Sequence, residues 1–136
     1  MPSIPPPLPW KSFGEPQPER EYLALLTFLP LRRLSKLPRF FAYIRKIRYQ
    51  LDAGPDGLIG YSLLAKPLRS NYWTLSVWDD VAALGRFIQE APHRDAMREL
   101  PQVMTGFRTT RWTLPGSAVP PVWSEALARE EARSRS

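Results

Sequence analysis

The feature that most constrains the fold is the segment Tyr72–Trp78, in which the side chains alternate between two faces. Aromatic and aliphatic residues with a period of two are typical of a β-strand. One face carries Trp73, Leu75 and Val77, and the other carries Tyr72, Thr74, Ser76 and Trp78. Asp79 or Asp80 then provides a helix cap, and apolar residues recur with helical spacing as far as Ala91. The segment therefore predicts a strand followed directly by an amphipathic helix.

Similar patterns on either side predict the order of the remaining elements. Strands are predicted over 22–29, 58–64 and 107–114. The apolar spacing of Phe40, Ile44, Ile47 and Leu51 indicates a helix that stops at the turn residues 52–57. Pro92 interrupts the second helix, which resumes over 93–100. The resulting order β-α-β-β-α-β predicts an α+β, ferredoxin-like fold of four antiparallel strands with two helices on one face.

The chain divides into an arm, a domain and an extension. Residues 1–20 hold 7 of the 16 prolines, so this arm is predicted to be a tail, excluded from the interior of a sheet. Trp10 and Phe13 indicate that the arm packs on the domain or on a partner subunit. Residues 21–115 form the predicted domain. Residues 116–136 form a C-terminal extension with a short charged helix over 122–133.

Both faces of the predicted sheet require a cover, because the strand 22–29 is apolar on both sides. If Trp112 packs under the helices, alternation places Arg111 on the opposite face with Tyr72 and Trp78. A second copy of the chain would close that open face. We therefore expect a symmetric homodimer, the dimeric α/β barrel form of this fold.

Composition excludes several classes of function. The chain has no cysteine and one histidine, which excludes disulfides, thiolate nucleophiles and multi-histidine metal sites within one chain. No apolar run approaches the roughly 18 residues of a membrane span, and the N-terminus lacks a signal-peptide pattern, so we expect a cytoplasmic protein. Seven of the 19 basic residues lie between positions 32 and 48. A solvated helix face explains them better than nucleic-acid binding, which remains the weaker alternative.

Three stretches resemble the antibiotic-biosynthesis monooxygenase superfamily, and within it most closely the spheroidene monooxygenase family and related uncharacterised bacterial proteins. They are Thr74–Leu84 with Phe87, Ala91–Met97, and Arg111–Gly116 followed by Pro120, Pro121 and Trp123–Leu127. The resemblance covers about a third of the chain. The shared features are a strand ending in Ser-x-Trp, an acidic helix cap and a Pro-His pair.

The resemblance implies a pocket between the sheet and the helices or loops. Some members oxidise aromatic polyketides without a cofactor, whereas the spheroidene oxygenases bind haem through a histidine on the second helix. His93 occupies that place, as haem ligand or general base; the alternative is a structural histidine at the Pro92 kink. Haem-degrading relatives carry an asparagine and a tryptophan where this chain has Thr27 or Phe28, and Ala83 or Phe87. Haem degradation is therefore not expected, and the spheroidene oxygenases are much longer chains.

The candidate site residues follow from these expectations. Tyr72, Trp78 and Phe107 are predicted to form the wall of a pocket for a flat apolar molecule. Arg111 is predicted to recognise an anion, which could be a carboxylate of the second subunit, a ligand carboxylate or a haem propionate; the alternative is an arginine at the sheet edge that reaches solvent. The functional hypothesis is a monooxygenase-like enzyme for an aromatic or polyene small molecule, haem-dependent or cofactor-independent. The alternative is a non-catalytic dimeric ligand-binding or accessory protein.

Overall fold

The computed structural model of the chain describes residues 9–30, 37–66, 71–90, 94, 98 and 108–135. The strands are β1 (Lys11–Ser12), β2 (Glu21–Pro30), β3 (Leu58–Lys66), β4 (Asn71–Trp78) and β5 (Arg108–Pro115). The helices are α1 (Leu37–Asp52), α2 (Val81–Gln89) and α3 (Trp123–Arg135), and one turn of 3₁₀ helix covers Gly116–Ala118. The predicted strands and the helices α1, α2 and α3 are confirmed within these ranges, whereas the predicted helix over 93–100 lies largely outside the described residues.

The strands form one antiparallel sheet in the order β1-β3-β4-β2-β5. The α+β, ferredoxin-like prediction is confirmed, but the described sheet has five strands rather than four. The added strand is β1, which pairs Lys11 with Tyr61 at the edge of β3. The prediction that the whole arm is a tail was therefore wrong for residues 11–12. These two residues fall between prolines, so their backbone groups can still join an edge.

The helices α1 and α2 cover one face of the sheet, which we term the inner face. In its core, Phe40 of α1 packs with Leu29 and Tyr72, and Leu84 of α2 packs with Tyr61 and Trp78. Tyr72 and Trp78 were predicted to lie on the face away from the helices. That assignment is corrected: these residues point toward the helices, because both faces of β4 are apolar and alternation alone does not distinguish them.

The opposite, outer face carries Trp73, Leu75 and Trp112, and the chain's own C-terminal extension covers it. Ala126 of α3 is fully buried there. The indole of Trp73 donates to Glu130 Oε2 at 2.7 Å, so α3 is held by a hydrogen bond as well as by apolar contact. The outer face therefore needs no second copy of the chain to cover it. The homodimer itself stays a prediction.

The arm completes the cover of the outer face. The Trp10 ring packs so closely on Gly60 that a Cβ at Gly60 would lie 2.5 Å from it, which explains why β3 has glycine there. Phe13 N–H donates to the Ile59 carbonyl at 2.8 Å. Of the two predicted alternatives for Trp10 and Phe13, packing on the domain or on a partner subunit, the structure shows packing on the domain.

Among the described residues, no helix combines the length and the apolar character that crossing a membrane would need.

Candidate functional site

A cavity of about 280 Å³, here called the central cavity, lies between the inner face of the sheet and the helices α1 and α2. Its wall is mostly apolar, with Leu25 from β2, Ile47 and Leu51 from α1, and Leu84, Phe87 and Ile88 from α2. This position follows from the fold, because both amphipathic helices pack on the same face of the sheet and the cavity is lined by all three. Small-molecule sites typically occupy about 300–1,000 Å³, so this cavity suits a compact ligand.

Trp78 forms the aromatic part of the wall at the end of β4. Its side chain is 1% exposed, and its ring lies 5.0 Å from the Phe87 ring at an angle of 44°. The Trp78 indole donates to Ser76 Oγ at 2.9 Å, so the one polar atom of this ring is satisfied within the protein. Trp78 therefore offers a fixed apolar surface.

A row of three threonines forms the polar part of the wall. Thr27 in β2 lies opposite Thr74 in β4 on one side and opposite Thr109 in β5 on the other. All three are half-buried and line the central cavity. Directly opposed residues have Cβ atoms about 5 Å apart, so the row places three threonine side chains next to one another in the wall. The row was not predicted from the sequence, because it depends on the register between strands that are distant in the chain.

Arg111 lies on the edge strand β5, opposite Leu25, and lines the central cavity. Its side chain is exposed. Of the two predicted alternatives, the structure agrees with the edge arginine that reaches solvent. An exposed guanidinium beside a cavity still attracts an anion, although more weakly than a buried one.

Tyr61 adds a buried phenol to the wall and is held by a polar network. Its hydroxyl donates to Asp52 Oδ1 at 2.5 Å and accepts from Arg48 Nε at 3.4 Å. Lys11 Nζ lies 2.9 Å from the same Asp52 oxygen, and Phe13 stacks on the Tyr61 ring at 6.2 Å. The N-terminal arm therefore helps to position a residue of the cavity, a role that its sequence did not predict.

The network sets the protonation states of its two acids. The hydrogen bond from Tyr61, followed by that from Lys11, lowers the pKa of Asp52 below its ordinary value. Burial, followed by the hydrogen bond to Asp52, raises the pKa of Tyr61, while Arg48 opposes this shift. Tyr61 is thus a neutral phenol beside a carboxylate at neutral pH.

A second cavity of about 490 Å³, here called the arginine cavity, lies between α1 and the neighbouring ends of β3 and β4. Tyr72 lines it together with Arg45 and Arg48 of α1. The Tyr72 hydroxyl is buried, and it has no hydrogen-bond partner among the described residues. Leaving such a group unpaired costs about 1–3 kcal/mol. Burial also raises the pKa of Tyr72.

The predicted site residues are thus divided between two places. Trp78 and Arg111 line the central cavity, and Tyr72 lines the arginine cavity, with Thr74 shared by both. His93 and Phe107 lie outside the described residues. Their roles therefore stay predictions from the sequence.

The described residues do not fit haem. Axial ligands to haem iron come from histidine, cysteine, methionine or tyrosine. Of these, the described wall of the central cavity has only Tyr61, whose hydroxyl already donates to Asp52. In the described part of the chain, no three acidic or histidine side chains are grouped closely enough to hold a metal ion either. A haem ligand in the central cavity would have to come from outside the described residues, where His93 was predicted for that role.

Comparison with solved structures identifies the same fold in proteins of low sequence similarity. Two are named "putative monooxygenase": the one from Lactobacillus acidophilus has 9% identity and a TM-score of 0.59 over 75% of this chain and 50% of its own. The one from Fusobacterium nucleatum has 12% identity and a TM-score of 0.63 over 75% of this chain and 46% of its own. This chain therefore spans about half the length of either protein.

A third structure matches over nearly its whole length. It is named "putative antibiotic biosynthesis monooxygenase", comes from Bacteroides thetaiotaomicron, and has 16% identity and a TM-score of 0.61 over 70% of this chain and 92% of its own. No protein-family model matches this sequence, and neither does any curated protein. At these identities the likeness establishes the fold and leaves function to be argued from the site. The chain shares its α+β, ferredoxin-like fold with these solved structures, one of which is named "putative antibiotic biosynthesis monooxygenase".

Proposed function

We propose that the chain is an oxygenase-like enzyme that oxidises a compact, flat aromatic molecule bound in the central cavity. The observation that supports this most is the composition of the cavity wall. Trp78 and Phe87 present aromatic surface on one side, and the threonine row presents hydroxyl groups on the sheet. A phenol or ketone on a fused ring system matches both surfaces. The volume of about 280 Å³ favours such a ring system over a long polyene.

The chemistry proposed requires no haem, because the substrate can supply the electrons itself. Removal of a proton from an acidic CH₂ beside the aromatic rings gives a carbanion that reduces O₂. One oxygen atom then remains as a carbonyl and the other leaves as water, so that R₂CH₂ + O₂ gives R₂C=O + H₂O. Arg111 at the cavity stabilises the anionic form of the substrate electrostatically, and the threonine hydroxyls orient its oxygen. His93 remains the predicted base.

The proposal is tested with anthrone, a planar aromatic ketone with an acidic CH₂. The measurement is O₂ consumption catalysed by the protein, with product analysis for anthraquinone. Thr27→Phe fills the central cavity and is expected to abolish turnover. Thr113→Phe makes the same change at an exposed position of β5 that does not line the cavity, and is expected to leave turnover intact.

The role of Arg111 has its own matched pair. Arg111→Gln is expected to lower the rate about threefold to fivefold, which is the effect of removing one exposed charge interaction. Arg86→Gln removes one charge from an exposed position of α2 outside the cavity and serves as the control. Equal rates for both variants would show that Arg111 has no special role. An absorption spectrum with a Soret band would instead support the haem-dependent alternative and His93 as its ligand.

A second candidate function is ligand binding without catalysis. The observation that favours it is that the described wall of the central cavity contains no carboxylate or imidazole to act as a base. This candidate predicts saturable anthrone binding, lost in Thr27→Phe, with no O₂ consumption above the uncatalysed rate. The predicted homodimer applies to either function and is measured by light scattering during gel filtration.

A further inference from the structure

We propose that the arginine cavity is a second binding site, next to the central cavity and sharing only Thr74 with its described lining, for a small hydrophobic organic anion such as an aromatic carboxylate. The proposal goes beyond the oxidation reaction and does not depend on it. It rests on three properties of the cavity: an aromatic floor, two arginines and a buried hydroxyl group without a partner among the described residues.

The floor is aromatic because α1 and β4 bring three rings together. The Phe40 ring lies 4.8 Å from the Tyr72 ring, and the Phe41 ring lies 5.7 Å from it in an edge-to-face arrangement of 82°. Phe40 is fully buried, whereas Phe41 is 42% exposed. A phenylalanine that is held in an aromatic cluster and still open to solvent is suited to contact a flat ligand.

The arginines follow from the periodicity of α1. Phe41, Arg45 and Arg48 are spaced by four and three residues, so they lie on one side of the helix, and all three line the cavity. Arg48 donates to the Tyr61 hydroxyl, but neither arginine forms an ion pair with an acidic residue in the described part of the chain. No carboxylate lies among the described residues of the lining. The cavity is therefore apolar and positively charged at once.

Tyr72 supplies the third property. It is 6% exposed, and its hydroxyl lacks a hydrogen-bond partner among the described residues. Buried hydroxyls are normally paired, and exceptions indicate a group that an absent partner would satisfy. An anionic ligand accepts hydrogen bonds from a phenol and from guanidinium groups, and a planar carboxylate matches the fork of an arginine. The ligand class follows from these donors together with the aromatic floor.

The experiment uses anilinonaphthalenesulfonate, a fluorescent aromatic anion, titrated against the full chain. Its neutral relative N-phenylnaphthylamine, which lacks the sulfonate, reports on apolar binding alone. The anion is expected to bind saturably at one site. Arg45→Gln and Arg48→Gln are each expected to weaken its binding about threefold to fivefold, as for exposed charge pairs, with little effect on the neutral probe. Tyr72→Phe is likewise expected to weaken binding of the anion, with little effect on binding of the neutral probe.

Two controls distinguish binding in the arginine cavity from nonspecific attraction and from binding in the central cavity. Lys46→Gln removes one charge from an exposed position of the same helix that does not line the cavity, and is expected to leave anion binding unchanged. Thr27→Phe blocks the central cavity and is also expected to leave anion binding unchanged. Equal weakening by Lys46→Gln and Arg45→Gln would mean nonspecific attraction to a basic helix and would overturn the proposal. The proposal would also be overturned if Thr27→Phe abolished binding of the anion, or if the anion did not bind saturably to the unaltered chain.

If the anion binds as expected while anthrone oxidation is absent, the arginine cavity stands and the proposed reaction fails. If anthrone is oxidised but Arg45→Gln and Arg48→Gln do not change anion binding, the reaction stands and the second site fails. The two proposals are therefore decided separately.

Discussion

Gly57, in the turn before β3, allows a test of how closely α2 packs against this turn. Gly57 has φ of +88°, and a Cβ at this position would lie 2.3 Å from the Cβ of Ala83, which is 1% exposed in the first turns of α2. The Gly57 carbonyl also accepts a hydrogen bond from Asp79 N–H at 2.7 Å. Gly57→Ala therefore introduces both a strained backbone and a clash with α2.

The expected loss in the free energy of unfolding of Gly57→Ala has two parts. A left-handed backbone conformation costs a residue with a Cβ about 1–2 kcal/mol. Overpacking against Ala83 adds about 1–3 kcal/mol. The free energy of unfolding is thus expected to fall by about 2–5 kcal/mol in Gly57→Ala. Gly54 isolates the first part, since it has φ of +70° but its added Cβ would only reach ordinary contact, 3.4 Å from the Phe13 ring. Gly54→Ala is expected to cost about 1–2 kcal/mol.

The assay is urea unfolding followed by tryptophan fluorescence, for which the chain has 5 tryptophans. The double variant Gly57→Ala with Ala83→Gly removes the clash and retains the strained backbone. A double-mutant cycle should therefore give a favourable coupling of about 1–3 kcal/mol between the two positions. Gly85→Ala in α2, where the added Cβ meets nothing within 4 Å, serves as the control and should stabilise the helix by about 0.5–1 kcal/mol. Zero coupling, or equal costs for Gly57→Ala and Gly54→Ala, would refute the assignment of the clash.

Three further predictions concern other contacts of the fold. Ala126→Asp buries a charge under α3 and should lower the free energy of unfolding in urea by more than about 3 kcal/mol. Its control, Ala128→Asp on the exposed side of α3, should change that free energy by less than about 0.5 kcal/mol. Asp52 has a lowered pKa, so its contribution to stability is complete above its unfolded value of 3.8 and is lost as pH falls through the lower folded value. Asp52→Asn should therefore flatten acid unfolding in that range. Asp80→Ala removes the oxygen that accepts from the Ala83 N–H at 2.8 Å and should lower the free energy of unfolding by about 1 kcal/mol, while Asp80→Asn should retain most of the stability.

Much of the inner architecture was predictable because local patterns determine local structure. The alternation over Tyr72–Trp78 predicted β4, and the spacing of Phe40 and Leu51 predicted α1. The choice between Asp79 and Asp80 as the cap of α2 was left open by the sequence, and the geometry selects Asp80. These features depend on residues that are neighbours in the chain.

The candidate site was predictable only in part. Alternation correctly grouped Tyr72, Trp78 and Arg111 on one face of the sheet. It did not indicate that Tyr72 and Trp78 line different cavities, since that depends on where α1 and α2 cross the strands. The sequence did not indicate a polar role for Tyr61. Its network with Asp52 and Lys11 joins three separate segments, which no local pattern can indicate.

The sequence by itself determined the order of the elements from β2 to α3, the faces on which side chains alternate and the classes of metal site and nucleophile that are excluded. Only the tertiary structure decided which face of the sheet α1 and α2 cover. Both faces of β4 carry large apolar side chains, and the hydrophobic effect has no direction. The helices α1 and α2 could therefore take the face that was predicted to meet a second subunit, and α3 and Trp10 cover the other face. Register between distant strands likewise assembled the threonine row, because pairing across a sheet is a property of the whole fold.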